Sequence, residues 1–435
     1  MNAVLKKFRV WLGARTPAEV GQTIGLEQER SEPVHADLPE AIATQLQQAI
    51  RHLPPHPVHL KAVGEALDGA VARWQTNRDE PNCLVILGNP VDDLAALLQA
   101  ALTARTSDVL QVIQLQKTWD ARPHQYLTIH TQLKKQVDDL PERAPKDSLT
   151  LATIPRLDWC FLRCIDGLSG VEYLKDVVLN HRSQFWLIGC NRWAWTYLEH
   201  VYRISAYLDQ PFTLPRLTSL QIRDWLTPVT SLVAIAPDLD EPPDGVKSLM
   251  TDDAPTDLNH WSSRAEQRYF DSLANKSLGV GAVAAHLWLR SLCPAAGLSE
   301  DNSSADQSSA DQSSENELSA TGGDRAAEIT LLNGGQSLHP SRPLQRDKPA
   351  LPPLPALSAD DRYLLFSLLM HGGMSLPHLR LSLGDDYGKV RAQVQILQRA
   401  GVVKQLHSLL SLNPLFYPGL KADLSNNNFV VGEDD

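Results

Sequence analysis

Five short apolar segments, each followed by a stretch with helical spacing, constrain the fold of this chain most. The segments lie at 83–87, 109–115, 149–154, 185–189 and 212–214, with helical patterns at 91–102, 126–137, 171–180 and 193–204. Nearly continuous apolar strands that alternate with helices are typical of a parallel sheet covered on both faces. We therefore predict an α/β fold with a parallel five-stranded sheet. Its ligands would bind beyond the carboxyl ends of the strands, where Gly88, Pro155 and Asn191 fall.

Composition narrows the classes of function. The chain has 435 residues and a formal net charge of −11, which disfavours generic binding of polyanions. No run reaches the roughly 18 apolar residues that are needed to span a bilayer. The five cysteines are not accompanied by a second Cys/His pair at zinc-ligand spacing. We therefore predict reduced thiols, no metal site and a cytoplasmic location.

The sequence divides into six parts. A basic amphipathic segment at 1–37 is either a plain N-terminal helix or a peripheral contact with an anionic membrane surface. We predict that 38–227 contain two leading helices and the α/β domain, that 228–260 form an irregular acidic insertion, and that 261–296 form a helical lid. Residues 297–357 include the repeat SSADQSSADQSS and end rich in proline, which predicts a disordered linker. Residues 358–435 form the last domain.

Three helical patterns and a hairpin make up this last domain. The predicted helices lie at 360–370, 375–383 and 385–400, and the predicted strands at 402–406 and 409–412, which is the winged-helix pattern. A DNA-binding role would use the basic residues of this domain, namely Lys389, Arg391, Arg399 and Lys404. However, Asp385 and Asp386 stand at the helix end that would enter a groove, which favours protein contacts over DNA.

The turn after the first predicted strand has the strand–loop–helix order of a P-loop but not its chemistry. A P-loop reads G-x-x-x-x-G-K-[ST], because glycines let backbone N–H groups surround phosphate while the lysine and hydroxyl bind phosphate and Mg²⁺. Counted from Gly88, the last three positions of this motif hold Asp93, Leu94 and Ala95. Asp92 and Asp93 would repel a nucleotide. The sequence thus indicates a phosphate site that has lost its binding groups.

The order of the elements resembles that of AAA+/STAND-class P-loop ATPases. The segment ATIPRLDWC at 152–160 is similar to the Walker-B signature of KAP-type NTPases, in which an apolar strand runs into a row of acids. Leu157, Asp158 and Cys160 match that signature residue by residue. Pro155 and Arg156 stand where the resemblance implies the two carboxylates that organise Mg²⁺ and water.

Two further segments carry the same resemblance. FWLIGCN at 185–191 resembles the next strand of this class, which ends in a polar sensor residue, and Asn191 occupies that position. The segment ANKSLGVGAVAAHLWLRSL at 274–292 resembles the lid helices, with Lys276 as the nearest basic residue. The resemblance therefore implies a P-loop NTPase-like domain with a lid.

A second candidate for the Walker-B acid lies a little further along the chain. CFLRCIDGL at 160–168 is similar to the signature of NACHT-like STAND proteins, with Asp166 as the acid. This alternative would place Arg163 inside a buried strand. We favour the interpretation that Asp166 caps a helix that begins near Leu168.

The run GCNRWAWTYLEHVYR at 189–203 is rich in aromatic residues. It is either a patch that binds a protein partner or a helix that packs on the sheet. Trp193 and Tyr197 are one helical turn apart, which favours burial against the sheet.

The resemblance implies a nucleotide site built from Gly88, Asn89, Asp93, Asn191 and Lys276, although its catalytic groups are lost. We predict a pseudo-ATPase without a cofactor that acts as a regulatory or scaffold subunit through protein partners, with its winged helix on a flexible tether. One alternative is a divergent ATPase that binds ATP and Mg²⁺ and uses Asp158, Asp166 and Asn191. The other is a DNA-binding regulator. The sequence leaves the oligomeric state open.

Overall fold

The computed structural model describes residues 38–103, 110–114, 134, 135, 137, 138, 149–236, 261, 263–294 and 344–432. The predictions for 1–37, for most of the helix at 126–137 and the acidic insertion, and for 297–343 of the linker lie outside the described residues. In the described ranges, no helix is both long enough and apolar enough to cross a membrane.

A parallel sheet of five strands forms the centre of the α/β domain, as predicted. Its strands are β1 (Cys83–Gly88), β2 (Leu110–Gln114), β3 (Leu149–Ile154), β4 (Phe185–Asn191) and β5 (Phe212–Thr213). All neighbours pair in parallel, in the order β2-β3-β4-β1-β5. Because β4 lies between β1 and β3, the turns that follow these three strands meet at one edge of the sheet.

Helices cover both faces of this sheet. They are α2 (Pro57–Thr76), α3 (Leu94–Thr103), α4 (Ser169–Asn180), α5 (Arg192–Tyr202) and α6 (Ser205–Leu208), and α1 (Glu40–Arg51) precedes them in the chain. On one face, Ile86 and Leu187 of the sheet pack with α2 and α3. On the other face, Val85 and Ile188 pack with α4 and α5. Every residue of β1 and β4 is buried, which explains why both strands are apolar nearly throughout.

The helical lid contains α7 (Ser219–Thr230), α8 (Arg264–Lys276) and α9 (Gly281–Arg290). Their apolar faces form a separate core around Phe270 and Trp288. Helix α1 contributes Leu46 to this core, so it belongs to the lid rather than leading into the α/β domain as predicted. Helix α7 continues through Pro228, where the sequence predicted the start of an irregular insertion; a capping box at Thr218 fixes its beginning.

The end of the predicted linker is corrected by the structure. Strand β6 (Leu292–Pro294) pairs in antiparallel fashion with β7 (Leu344–Arg346), which lies inside the predicted range of 297–357. Leu344 is buried in the core of the lid. Leu354 is partly buried against the core that contains Val85, Ile188 and the apolar residues of the C-terminal domain. Because these leucines bury apolar surface, residues 344–357 are ordered despite their proline content.

The C-terminal domain has the predicted three helices and hairpin. They are α10 (Ala359–His371), α11 (Leu376–Leu383), α12 (Tyr387–Arg399), β9 (Val403–Leu406) and β10 (Leu409–Leu412). A short strand, β8 (Met374–Ser375), completes a sheet in the order β8-β10-β9. Ser375 caps α11, since its side chain accepts a hydrogen bond from the His378 amide. The sequence did not predict α13 (Tyr417–Asn426), which returns to the domain core through Leu420 and Leu424.

Gly189 of β4 offers a test of how closely the turn after β3 approaches the sheet. A Cβ at this position would lie 2.2 Å from the Pro155 carbonyl oxygen and 2.8 Å from Leu98 Cδ1. We expect Gly189→Ala to lower the free energy of unfolding by about 2–3 kcal/mol, because a backbone atom cannot move aside as a side chain can. Urea unfolding measures this.

Gly69→Ala is the matched control. Gly69 lies in α2, and a Cβ there would meet only Arg73 Nη1, at 3.6 Å. This substitution should raise the free energy of unfolding by about 0.5–1 kcal/mol, the ordinary gain from replacing a helical glycine. Equal effects of the two substitutions would contradict the close approach at Gly189.

Candidate functional site

The turn after β1 is closed by contacts within the protein. Asn89 Nδ2 donates a hydrogen bond of 3.2 Å to Asp92 Oδ2. Asp93 Oδ1 accepts a bond of 3.0 Å from the Ala96 amide, so Asp93 serves the first turn of α3. The side chain of Leu94 lies so close to Gly88 that a Cβ on the glycine would be 3.2 Å from it. The turn therefore packs against its own helix.

Asp92 joins this turn to the lid. Its Oδ1 accepts a hydrogen bond of 3.1 Å from the Ala282 amide in the first turn of α9. The N-cap residue of α9 is Val280, which provides no side-chain hydrogen bond, so Asp92 supplies the missing cap from another part of the chain. Burial raises the pKa of Asp92, whereas these hydrogen bonds and the charges of His59 and Arg192 oppose the rise. A carboxylate thus occupies the positive end of the lid helix.

The segment after β3 contains a buried ion pair. Arg156 Nε donates to Asp158 Oδ1 at 2.9 Å and to Oδ2 at 3.1 Å, and the Arg156 Nη2 atom contacts Oδ2 as well. The Asp158 side chain is 0% exposed and that of Arg156 is 7% exposed. Burial alone would lower the pKa of Arg156, but the charge and hydrogen bonds of the Asp158 carboxylate raise it. The guanidinium therefore stays charged. The one acid that matches the Walker-B pattern is therefore bonded to arginine.

Asn191 stands beside Gly88 in the sheet, at the end of β4. Its Oδ1 accepts a bond of 2.9 Å from the Trp193 amide and so caps α5. Its Nδ2 donates to the carbonyl oxygens of Leu369 and, at 3.0 Å, Met370. These carbonyls belong to the last turn of α10, whose orphan acceptors need partners. The predicted sensor residue thus binds the winged-helix domain.

His371, the last residue of α10, adds a second contact between the domains. Its Nδ1 donates a bond of 3.2 Å to the Asp158 carbonyl oxygen, and its Nε2 accepts from the Arg163 amide at 3.4 Å. A ring that both donates and accepts is neutral. Burial is the main cause that lowers the pKa of His371, to about 3, and the nearby Arg163, His378 and Arg156 lower it further.

Arg163 lies half-buried in the same interface. Its Nη2 donates a bond of 3.0 Å to Ser367 Oγ, while its Nε has no hydrogen-bond partner. Within the described part of the chain, no carboxylate lies within ion-pair distance of it, and its guanidinium stands 5.8 Å from the centre of the Phe366 ring. Burial lowers the pKa of Arg163. This cation is held by dipoles and an aromatic ring alone.

Aromatic packing completes the interface. Trp193 is fully buried, and its Nε1 donates a bond of 3.4 Å to Tyr417 Oη. Its ring also packs against Phe366, with centroids 5.9 Å apart. Tyr197 stacks on Phe161. The prediction of burial for the tryptophan-rich run is correct, but its partners include the winged-helix domain as well as the sheet.

These contacts correct the prediction of a flexibly tethered winged helix. Residues 344–432 are described without a gap, and the winged-helix domain shares one apolar core with the α/β domain. It covers the edge of the sheet where Asp158 and Asn191 lie. Sequence periodicity could not predict this, because a buried helix face does not identify the surface against which it packs.

The interpretation of Asp166 is also corrected. Asp166 is exposed and adopts a φ of 58° in the turn before α4. The N-cap of that helix is Leu168, without a side-chain hydrogen bond, so Asp166 does not cap it. Arg163 does not lie in a strand, since β3 ends at Ile154. The structure therefore does not place Asp166 as a helix cap.

The other predicted site residues are divided among distant contacts. Lys276 donates a hydrogen bond to the Pro349 carbonyl oxygen at the end of α8. Lys389 binds Asp360 at 2.7 Å and Asp385 at 3.3 Å, so two carboxylates compensate its charge. Arg391 and Arg399 are exposed on α12. Among the described residues, no group of three or more His, Cys, Asp or Glu side chains could hold a metal ion.

Sequence reasoning missed the inward contacts of His371 and Arg163. One signal was available: His371 precedes Gly372-Gly373, and Gly372 adopts a φ of 61°. A Cβ on Gly372 would fall 1.9 Å from Arg156 Nη2, so this glycine is required by close approach as well as by its backbone conformation. Two adjacent glycines after a histidine therefore mark the point where the domains meet.

No family model and no curated protein matches the chain. Solved structures that align with it include the Aeropyrum pernix ORC2 protein (12% identity, 87% of this chain, 96% of that chain, TM-score 0.34). The C. elegans PCH-2 structure aligns at 12% identity, 57% of this chain, 60% of that chain and a TM-score of 0.32. Cdc6p from Pyrobaculum aerophilum aligns at 12% identity, 90% of this chain, 98% of that chain and a TM-score of 0.27. Similarity at this level assigns neither a family nor a function.

Asp158→Asn tests the buried ion pair. The substitution removes the charge that compensates the buried Arg156, and we expect the free energy of unfolding to fall by about 3–5 kcal/mol. Asp224→Asn is the control, because Asp224 pairs with Arg223 at 2.7 Å but is 64% exposed; its loss should cost less than about 1 kcal/mol. Urea unfolding of both variants checks this. Similar losses in the two would show that Asp158 is not needed to compensate Arg156.

The neutral His371 predicts a loss of stability in acid. The unfolded chain protonates this residue near the ordinary pKa of 6.5, whereas the folded chain does so only near 3. Its contribution is therefore complete above pH 6.5 and declines as the pH falls toward 3, by up to about 1.4 kcal/mol per pH unit. Subtracting the pH profile of His371→Gln removes the contributions of His286 and His56, whose pKa values are also lowered by burial. Parallel stability profiles for the two proteins between pH 6.5 and 5 would contradict this.

Proposed function

We propose that this chain is a catalytically degenerate protein of AAA+/STAND type that acts as a regulatory or scaffold subunit through protein–protein contacts. The order of the strands supports this proposal, because it brings the turn after β1, the Arg156 segment and Asn191 to one edge of the sheet. The resemblance noted in the sequence implies a nucleotide site at that edge. This chain differs from that resemblance in the side chains that occupy this edge of the sheet.

The hydrogen bond between Asp92 and the Ala282 amide is the observation that carries the proposal. A P-loop and the first turn of a facing helix both bind phosphate through their N–H groups. Here the Asp92 carboxyl group takes the place of the phosphate. It accepts the hydrogen bond of the Ala282 amide, so the turn after β1 is bonded to the first turn of α9. A phosphate group that entered would find the helix N–H group already bonded to Asp92 and the acidic side chain of Asp93 beside it, without a lysine at the turn.

The ion pair of Arg156 and Asp158 supports the same conclusion. Catalysis of phosphoryl transfer requires charge stabilisation by a cation and a carboxylate that holds Mg²⁺. Asp158 is fully buried, and Arg156 donates hydrogen bonds to both of its carboxylate oxygens. Asn191 is bonded to the carbonyl oxygens of α10 instead of facing a ligand.

The contact between the domains favours a protein-binding role over a motor. The winged helix, the lid and the sheet are joined by hydrogen bonds of Asp92, Asn191 and His371, so a partner would meet them in one arrangement. The DNA-binding alternative is weakened because Lys389 is bound by Asp360 and Asp385. The proposed function therefore depends on surfaces rather than on turnover.

A titration with a fluorescent ATP analogue and Mg²⁺ tests the proposal. We expect no saturable change in fluorescence and no release of inorganic phosphate, for the wild-type chain and for Asp92→Asn. The second protein removes the carboxylate that occupies the lid helix, so it controls for a site that is merely blocked. Saturable, Mg²⁺-dependent binding by the wild-type chain that unlabelled ATP reverses would overturn the proposal. Steady phosphate release that Asp166→Ala abolishes would instead support the divergent ATPase.

A further inference from the structure

The hairpin of the winged-helix domain exposes apolar side chains that the fold does not use. On β9, Val403 is buried in the domain core and Gln405 is directed to α12, where it bonds Gln398 at 3.1 Å. Alternate residues of a strand point to opposite faces, so Lys404 and Leu406 share the other face. Leu409 is the cross-strand partner of Leu406. These leucines are 60% and 38% exposed, an apolar surface that packing within the domain does not explain.

Arg51 and His286, from two other elements, interact electrostatically with Lys404 of this face. The charge of Arg51, at the end of α1, adds to partial burial in lowering the pKa of Lys404. His286 of α9 is influenced by both cations, although burial is the main cause that lowers its pKa to about 4. Arg51 and Lys404 make no ion pair with any described residue. We call Arg51, His286, Lys404, Leu406 and Leu409 the wing patch.

We propose that the wing patch binds an acidic, leucine-containing segment of a protein partner. Carboxylates of that segment would pair with Arg51 and Lys404 and so relieve the repulsion between two uncompensated cations. Its leucines would cover Leu406 and Leu409. The proposal rests on the proposed function as a protein-binding subunit and specifies the class of partner.

The sheet topology favours an extended segment as the occupant. Strand β9 is an outer strand of the β8-β10-β9 sheet. An outer strand offers backbone groups to which another strand can add, and its alternate side chains then set the specificity. Lys404 and Leu406 alternate in this way, so an acid and a leucine two residues apart in the partner would match them.

A nucleic acid fits this surface less well. Phosphates would satisfy the two cations, but a phosphate backbone offers no apolar surface to the exposed leucines. The tip of the hairpin, LHSLL at 406–410, carries no Lys or Arg. The observations therefore favour a peptide, and duplex DNA serves as a competing probe.

Fluorescence anisotropy of a short labelled peptide with alternating leucine and glutamate tests this with the full chain. We expect binding that weakens with salt and is lost when glutamine replaces glutamate in the peptide. Lys404→Glu and the double variant Leu406→Ser, Leu409→Ser should each weaken it by about tenfold or more. The controls are Lys61→Glu, a surface lysine 77% exposed, and Leu179→Ser, a leucine 40% exposed elsewhere. Both should leave the affinity unchanged.

Other results would overturn the proposal. Absence of peptide binding, or equal binding by all variants, would show that the wing patch is not the site. The wing patch would be assigned to nucleic acid if duplex DNA bound in a salt-sensitive way, if Lys404→Glu abolished this binding, and if the serine substitutions left it unchanged. A dimer in sedimentation equilibrium that the serine substitutions dissociate would assign it to a second copy of this chain. Binding of the ATP analogue would contradict the proposed function without affecting the result for the peptide.

Discussion

The buried ion pair between Arg156 and Asp158 determines how the carboxyl edge of the sheet is built. Two charges without access to water must be bonded by protein groups or cost several kcal/mol. The close approach of Gly372 to Arg156 follows from this pair, since any side chain at Gly372 would displace the guanidinium. The end of α10 is therefore brought over Asp158, and His371 bonds its carbonyl oxygen. The ion pair thus helps to position the winged-helix domain, together with the hydrogen bonds of Asn191 to the carbonyl oxygens of α10.

Apolar and polar groups at the interface between the α/β and winged-helix domains affect its stability in opposite directions. Trp193, Phe366 and Tyr417 bury large rings between the domains, and each such ring contributes about 1.5–3 kcal/mol. Arg163 and His371 oppose this gain, because one is a cation without a carboxylate and the other must remain neutral. The interface is consequently stable as a whole, while its polar centre is sensitive to any change that alters a charge.

Much of the architecture could be predicted because it depends on local patterns. Continuous apolar runs identified the five strands, and helical spacing identified the three helices of the C-terminal domain. Features that depend on distant contacts were missed. Helix α1 has an apolar face whether it packs on the sheet or on the lid, and β7 is a strand only because β6 pairs with it. The candidate site depends on distant contacts in the same way. The sequence identified Asp158 and Asn191 as candidates, but only the fold shows that Asp158 bonds Arg156 and that Asn191 bonds the carbonyl oxygens of α10.

The proposed loss of nucleotide chemistry involves a change of side chain at two places. Leu94 stands where a P-loop carries its lysine, and the Asp92 carboxyl group two residues earlier bonds a helix N–H group. Where the resemblance implies an acid for Mg²⁺, this chain places Arg156 against Asp158. Asp92 and Arg156 each have a partner of opposite charge or dipole, so replacing either one alone would leave that partner unpaired. Asp92 bonds the lid helix, whereas Arg156 lies against Gly372 at the end of α10, so the two contacts hold different parts of the chain at the same edge of the sheet.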